Sequence, residues 1–198
     1  MKIIIVGATG TIGKHITAAF EKEHEVIKVG SKSGDLQVDI SSPASIEKFY
    51  EQAGSFDALI STTGHGHFGP MASMTDKDFK VGINGKLMGQ VNLVLIGQRY
   101  INPKGSFTIS SGSLSEDPIF AGLNLSTVNG ALDSFVKAAA IELANGVRIN
   151  AVSPTVVEES PVYFPYFPGQ SPVTMARVTQ AYIRSVLGPL TGQIFKIY

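Results

Sequence analysis

Short apolar runs rich in β-branched residues alternate along this chain with longer segments of mixed polarity, and that alternation is its main structural signal. Ile3-Ile4-Ile5-Val6 has no polar interruption, the pattern of a strand buried on both faces of a parallel sheet. A first strand is predicted over Lys2–Val6 and a helix from about Thr11 to Lys22. A second strand covers Glu25–Val29, and a short third one, Leu36–Val38, leads to Asp39. Ser42-Pro43 opens the next helix, with serine as N-cap and proline at the first helical position. Strand four is Asp57–Ser61, and Thr75-Asp76-Lys77-Asp78 caps a long helix reaching roughly Tyr100. Strand five, Ser106–Ser110, breaks into Ser111-Gly112-Ser113. Another long helix covers about Leu125 to Leu143, and strand six is Val147–Val152. A loop rich in proline and aromatics runs to Pro172, followed by a helix, Val173–Leu187, and a last strand, Gln193–Tyr198.

Strands that alternate with helices imply right-handed crossovers and a parallel sheet covered on both faces. The expected fold is therefore α/β, a Rossmann-type doubly wound sheet of seven parallel strands in the order 3-2-1-4-5-6-7, forming one domain over residues 1–198. In such sheets ligands sit beyond the carboxyl ends of the strands, near the switch point between strands one and four. The segment Val6-Gly7-Ala8-Thr9-Gly10-Thr11-Ile12-Gly13-Lys14 lies there, with glycines spaced G-x-x-G-x-x-G between a strand and a helix. Glycine permits a tight turn and lets backbone N–H groups approach a pyrophosphate, which the positive end of the following helix favours. A plain close-packed turn would need the same glycines, but the rest of the chain argues for a dinucleotide. Ser31-Lys32, Asp39, Ser61–His67, Ser110–Ser113 and Ser153–Val157 all fall on the same edge.

Composition narrows the classes further. No apolar run is long enough to span a bilayer, and the apolar start is too short for a signal peptide. Cysteine is absent, which removes disulfide and thiolate chemistry and fits a cytoplasmic protein. Lys plus Arg and Asp plus Glu both number 16, with no basic stripe, so neither nucleic acid nor membrane is an expected partner.

On these motifs the chain resembles the short-chain dehydrogenase/reductase family along nearly its whole length. Val6–Gly13 resembles that family's phosphate loop, and Asp39-Ile40 the pair that contacts adenine. Ser61-Thr62-Thr63-Gly64 stands where the family has Asn-Asn-Ala-Gly, and Arg148–Pro154 matches the strand and turn beside the nicotinamide. Leu190-Thr191-Gly192-Gln193 resembles the entry to the last strand. The resemblance implies a cofactor site made of Gly7, Thr9, Gly10, Thr11, Ile12, Gly13, Ser31, Lys32, Asp39, Ile40, Thr62, Thr63, Gly64, Pro154, Val156 and Val157. Where an acidic residue after strand two would bind the ribose 2′-hydroxyl of NAD, Ser31 and Lys32 favour NADP; nearby Asp35 leaves NAD as the weaker alternative.

The catalytic positions depart from the family pattern of Ser with Tyr-x-x-x-Lys and a helix Asn. Ser111 matches the serine, but Leu125 occupies the tyrosine position and Asn129 the lysine position. On the earlier helix Lys86 stands where asparagine is usual, so lysine and asparagine have exchanged places. In the family, the tyrosine hydroxyl protonates the developing alkoxide and the lysine cation lowers its pKa. Here Ser111, Lys86 and Asn129 are the catalytic candidates, and the proton donor is missing. His65 and His67 offer a substitute acid or two metal ligands without an obvious third, or are simply solvated rings of a glycine-rich loop. Tyr163 and Tyr166 read as an apolar lid or subunit contact, with a catalytic hydroxyl folded over the nicotinamide as the alternative. Two functions follow as expectations: an NADP-dependent oxidoreductase of small carbonyls or alcohols with a non-standard site, or a nucleotide-binding sensor or assembly subunit without hydride transfer. By resemblance the chain is expected to form a homodimer or homotetramer through its two long helices, whose second carries Ala131, Ala138, Ala139, Ala140 and Ala144.

Overall fold

In the computed structural model, which describes residues 1–198, seven parallel strands form one sheet. They are β1 (Lys2–Val6), β2 (Glu25–Gly30), β3 (Leu36–Gln37), β4 (Phe56–Ser61), β5 (Ile101–Ser110), β6 (Arg148–Pro154) and β7 (Ile194–Ile197). Their order is β3-β2-β1-β4-β5-β6-β7, the doubly wound arrangement expected from the alternation of elements. The helices are α1 (Gly13–Phe20), α2 (Pro43–Ala53), α3 (Asp76–Gly82), α4 (Gly89–Gly97), α5 (Leu123–Glu142) and α6 (Met175–Leu187).

The uninterrupted apolar run of β1 is explained by its two neighbours in depth. Ile4 and Val6 join a core with Phe49 and Tyr50 of α2, Leu93 of α4, and Leu132 and Val136 of α5. Ile3 and Ile5 face the other way, into a core with Ile16 and Phe20 of α1 and Val178, Tyr182 and Val186 of α6. Alternate side chains of one strand thus enter two cores, so no position can be polar.

Several boundaries differ from the sequence expectation for local reasons. β5 starts at Ile101 rather than Ser106, because Ile101 pairs with Phe56 before a register shift. Pro103, Lys104 at φ 63° and Gly105 look like a loop in sequence, but they form an irregularity inside the strand. The helix is capped at Thr75 as expected, reciprocally with Asp78, yet it is not one regular helix and ends at Gly97 rather than Tyr100. Between α3 and α4 the backbone takes a π-helical turn, Ile83–Met88. α1 is confined to Gly13–Phe20 instead of Thr11–Lys22. α5 starts two residues before the expected Leu125. α6 begins after Thr174, which caps it, because Val173 forms a parallel bridge with Val157. The proline- and aromatic-rich segment contains a 3-10 turn, Pro161–Tyr166.

Candidate functional site

At the carboxyl edge of the sheet, β1 turns directly into α1. Gly7 has φ +88°, the left-handed region that glycine occupies without strain. A Cβ on Gly13 would stand 2.0 Å from the Gly7 carbonyl oxygen, so α1 can approach the turn only with glycine there. Thr62, at the end of β4, donates its hydroxyl to that same oxygen at 3.1 Å and braces the loop from the other side. No hydrogen bond within the chain engages the N–H groups of Thr11 and Ile12 at the start of α1.

Two cavities lie on this edge. The first, about 460 Å³, is lined by Gly7, Thr9 and Gly10 of the loop, Ser31 after β2, Asp39-Ile40, and Thr62-Thr63-Gly64. The second, about 350 Å³, is lined by Ile12, Lys86, Ser111, Leu125, Asn129, Pro154, Val156 and Val157, with Phe68, Tyr163 and Phe167 toward its mouth. Gly64 and His65 line both, so the cavities adjoin. A bound dinucleotide needs that shape: a polar, glycine-lined half for one nucleotide and a mixed half where a reactive ring meets a substrate.

The predicted cofactor residues divide. Thr11 and Gly13 build the turn without lining either cavity. Lys32 is exposed on the turn after β2, where its carbonyl accepts a hydrogen bond from Gln37, and of the pair only Ser31 lines the first cavity. Asp35 is turned back onto β2, accepting a hydrogen bond from the Lys28 N–H at 2.8 Å. The Asp39 carboxylate accepts hydrogen bonds from the Ser41 N–H and hydroxyl, which hold it below the usual carboxylate range.

Lys86, Ser111 and Asn129 converge. Lys86 projects from the π-helical turn, its stem lying along Gly64, where a Cβ would meet Lys86 Cγ at 2.5 Å. Lys86 Nζ donates to Asn129 Oδ1 at 2.6 Å and to the Ser111 carbonyl oxygen at 3.1 Å. Asn129 Nδ2 donates to the Gly112 carbonyl oxygen at 3.3 Å, and the Ser111 hydroxyl to the Asn129 carbonyl oxygen at 3.3 Å. Burial pushes the Lys86 ammonium down to about 8, opposed by the charge of Asp133 on α5. Leu125 does line the cavity, packed against Gly66, where its position offers no proton.

His65 is exposed at the seam between the cavities, against Gly85, whereas His67 lines neither cavity and its ring lies over Gly69. No cluster of three His, Cys, Asp or Glu side chains is placed to hold a metal ion. Tyr163 and Tyr166 flank Phe68, with ring centroids 6.0 and 5.7 Å away, forming an aromatic rim.

Four supporting residues carry no motif and were not legible as site residues. Gln90 clamps the Ser110 backbone, Nε2 to carbonyl and N–H to Oε1, both at 2.8 Å, just where β5 has outrun its pairing with β4. Asn124 accepts from the His67 N–H at 2.9 Å and donates to the Phe79 carbonyl at 2.6 Å, tying the histidine loop to α3 and α5. Glu159 reaches Lys14 and His15 of α1 and anchors the segment over the second cavity. Gln170 bridges Thr155 and Asp117 across the same segment. A polar residue in an apolar helix is the only hint that sequence offers for Gln90 and Asn124.

Residues 7–169 match a family model described as enoyl-(acyl carrier protein) reductase. The chain is similar to the short-chain dehydrogenase/reductase ATR9 of Stachybotrys chlorohalonatus, 30% identical over 131 residues, 62% of this chain and 51% of that protein. It thus spans about half the length of the curated relative it matches. Among solved structures it is similar to the protein lin1944 from Listeria innocua, 46% identical with a TM-score of 0.98 over the whole of both chains. A small-chain dehydrogenase crystallised with NADPH is 24% identical, with a TM-score of 0.89 over 100% of this chain and 96% of that one.

Proposed function

This chain belongs to the short-chain dehydrogenase/reductase family, and from that premise we propose that it binds NADP(H) and transfers hydride to or from a small carbonyl or alcohol. The observation that carries the reading is the pair of adjoining cavities, one floored by the phosphate loop, the other walled by Ser111, Lys86 and Asn129. Thr11 and Ile12 N–H groups suit a pyrophosphate at the start of α1. Ser31 in the cavity wall, Lys32 beside it and Asp35 turned away favour a 2′-phosphate over a bare ribose. The similar dehydrogenase crystallised with NADPH supports the same choice. Val156, Val157 and Pro154 supply an apolar wall for the nicotinamide half.

The cofactor, when bound, supplies hydride chemistry. The chain holds an ammonium, a side-chain amide and a hydroxyl in a buried cluster beside that position, with the aromatic rim of Phe68, Tyr163 and Tyr166 nearby. Leu125 favours a second reading, nucleotide binding without turnover. Calorimetric titration with NADP and NAD, followed by NADPH oxidation assays on small ketones, aldehydes and quinones, separates the two. Tight NADP binding with turnover of at least one substrate is the expected result; tight binding without turnover would favour the sensor or assembly role. We also propose a homodimer or homotetramer built on α4 and α5, which leave Leu95 and Ile141 exposed. Light scattering that returned the 21.0 kDa mass of one chain would overturn this.

A further inference from the structure

The ammonium of Lys86 has three N–H donors, and the chain occupies two of them, with Asn129 Oδ1 and the Ser111 carbonyl oxygen. Lys86 is buried yet is one of the residues lining the second cavity, and no third acceptor in the chain takes its remaining N–H. The other groups in the cavity are poorer acids or poorly placed. Ser111 commits its hydroxyl proton to the Asn129 carbonyl. Ser113 lines the cavity with a buried hydroxyl that has no partner, but an alcohol is a weak acid. Tyr163 stands half exposed at the rim, and His65 sits exposed at the seam. The Tyr182 hydroxyl is fully buried against Ser110 and lines neither cavity.

We propose that Lys86 is itself the proton donor, taking over the work of the absent tyrosine; this rests on the oxidoreductase reading above. As the carbonyl carbon gains hydride from a reduced nicotinamide, the C=O π pair moves to oxygen and that oxygen takes a proton from Lys86 Nζ. The neutral amine regains its proton from water in the open cavity once the alcohol leaves. Two features prepare the group for this. It projects from a π-helical turn, a local change of pitch that re-aims one side chain and recurs at functional sites. Its burial brings its ionisation down to about 8, close to working pH, where a general acid is most effective. The ionisable groups facing it are Asp133, one turn along α5 from Asn129, and His65, packed on the neighbouring Gly85.

The test combines a titration with a rate. Lysine Nζ signals are followed by NMR against pH in wild type and Lys86→Met, each with NADP bound. One lysine should titrate near 8 and be missing from the variant. Single-turnover oxidation of bound NADPH should fall about 10² to 10⁴-fold in Lys86→Met, with NADPH affinity changed only a few-fold. Wild-type turnover should fall as pH rises through about 8, because the acid form is lost. Lys86→Arg keeps the charge but does not release a proton, so it should bind NADPH and lack turnover. The proposal is overturned alone if Lys86→Arg turns over normally, if the wild-type pH profile survives in Lys86→Met, or if Lys86 titrates in the ordinary lysine range. Loss of turnover in His65→Gln with Lys86→Met still active would assign the proton to His65 instead. Wild type that binds no NADPH, or reduces no carbonyl, overturns the oxidoreductase reading and this proposal together.

Discussion

Burying the Lys86 ammonium without a carboxylate in hydrogen-bond reach sets up a pH dependence of stability that a single residue accounts for. Its pKa falls from 10.5 to about 8 on folding, so between those values the unfolded chain holds a proton that the folded chain has released. Stability contributed by this residue therefore rises with pH across that window and is lowest below it. At about 1.36 kcal/mol per pH unit, the full change is on the order of 3 kcal/mol. Denaturant melts of wild type and Lys86→Met at pH 7 to 10.5 should diverge by that amount, with wild type gaining on the variant as pH rises; a constant difference would show an unshifted lysine. Gly13 is a second position where one atom decides. A Cβ there would lie 2.0 Å from a backbone oxygen that Thr62 also holds, so neither partner can yield cheaply. Gly13→Val should cost about 1–3 kcal/mol from overpacking, and should abolish NADP binding while the circular dichroism of the fold persists. Binding equal to wild type would remove the phosphate loop from the site.

Among the elements, β1, the glycine turn and α1 are legible because each depends on residues adjacent in sequence. So are the Ser42-Pro43 and Thr75–Asp78 caps, where the side chain bonds a backbone group three residues away. The start of β5 is not legible, because proline and glycine signal a loop and only the pairing of Ile101 with Phe56 makes it a strand. The π-helical turn is hidden for a related reason. Gly85 within it and Gly82 and Gly89 on either side are spaced as in a helix, and what they admit comes from elsewhere in the chain: His65, Asn124 and Ile40. The exchanged positions of Lys86 and Asn129 were visible by resemblance, but their 2.6 Å contact needed the fold. That contact leads to a prediction about paired elements. Leu125→Tyr with Asn129→Lys would place a second ammonium against Lys86 and remove the oxygen that accepts its hydrogen bond. The double variant should therefore be destabilised, and adding Lys86→Asn should restore stability. NADPH oxidation with the ketone and quinone panel should then be higher in the triple variant than in the double. A triple variant no more stable than the double would show that α5 and the π-helical turn do not pack as described.

For the molecule as a whole, the consequence of winding both cores around one parallel sheet is that the loops following the strands gather at its carboxyl edge. Ser31 and Lys32 after β2, the phosphate loop after β1 and Thr62–Gly64 after β4 are contributed by three separate crossovers. A ligand that spans them ties these crossovers together only in the folded state, and so must raise global stability. At a concentration about 100 times its Kd, a ligand adds about 2.7 kcal/mol. For a domain of this size each kcal/mol is worth about 2–4 °C, so saturating NADP should raise Tm by roughly 5–11 °C. NAD at the same concentration should raise it less, because it presents no phosphate to Ser31 and Lys32. Lys32→Glu sharpens the comparison. It replaces an attractive charge beside the 2′-phosphate with a repulsive one, while its exposed position leaves both cores untouched. The variant's own Tm should stay within about 2 °C of wild type, since exposed substitutions usually change stability by no more than about 0.5 kcal/mol. Its NADP-induced shift should shrink toward the NAD value, and its NAD-induced shift should hold. Equal shifts by the two nucleotides, unchanged in Lys32→Glu, would mean that the turn after β2 takes no part in choosing between them.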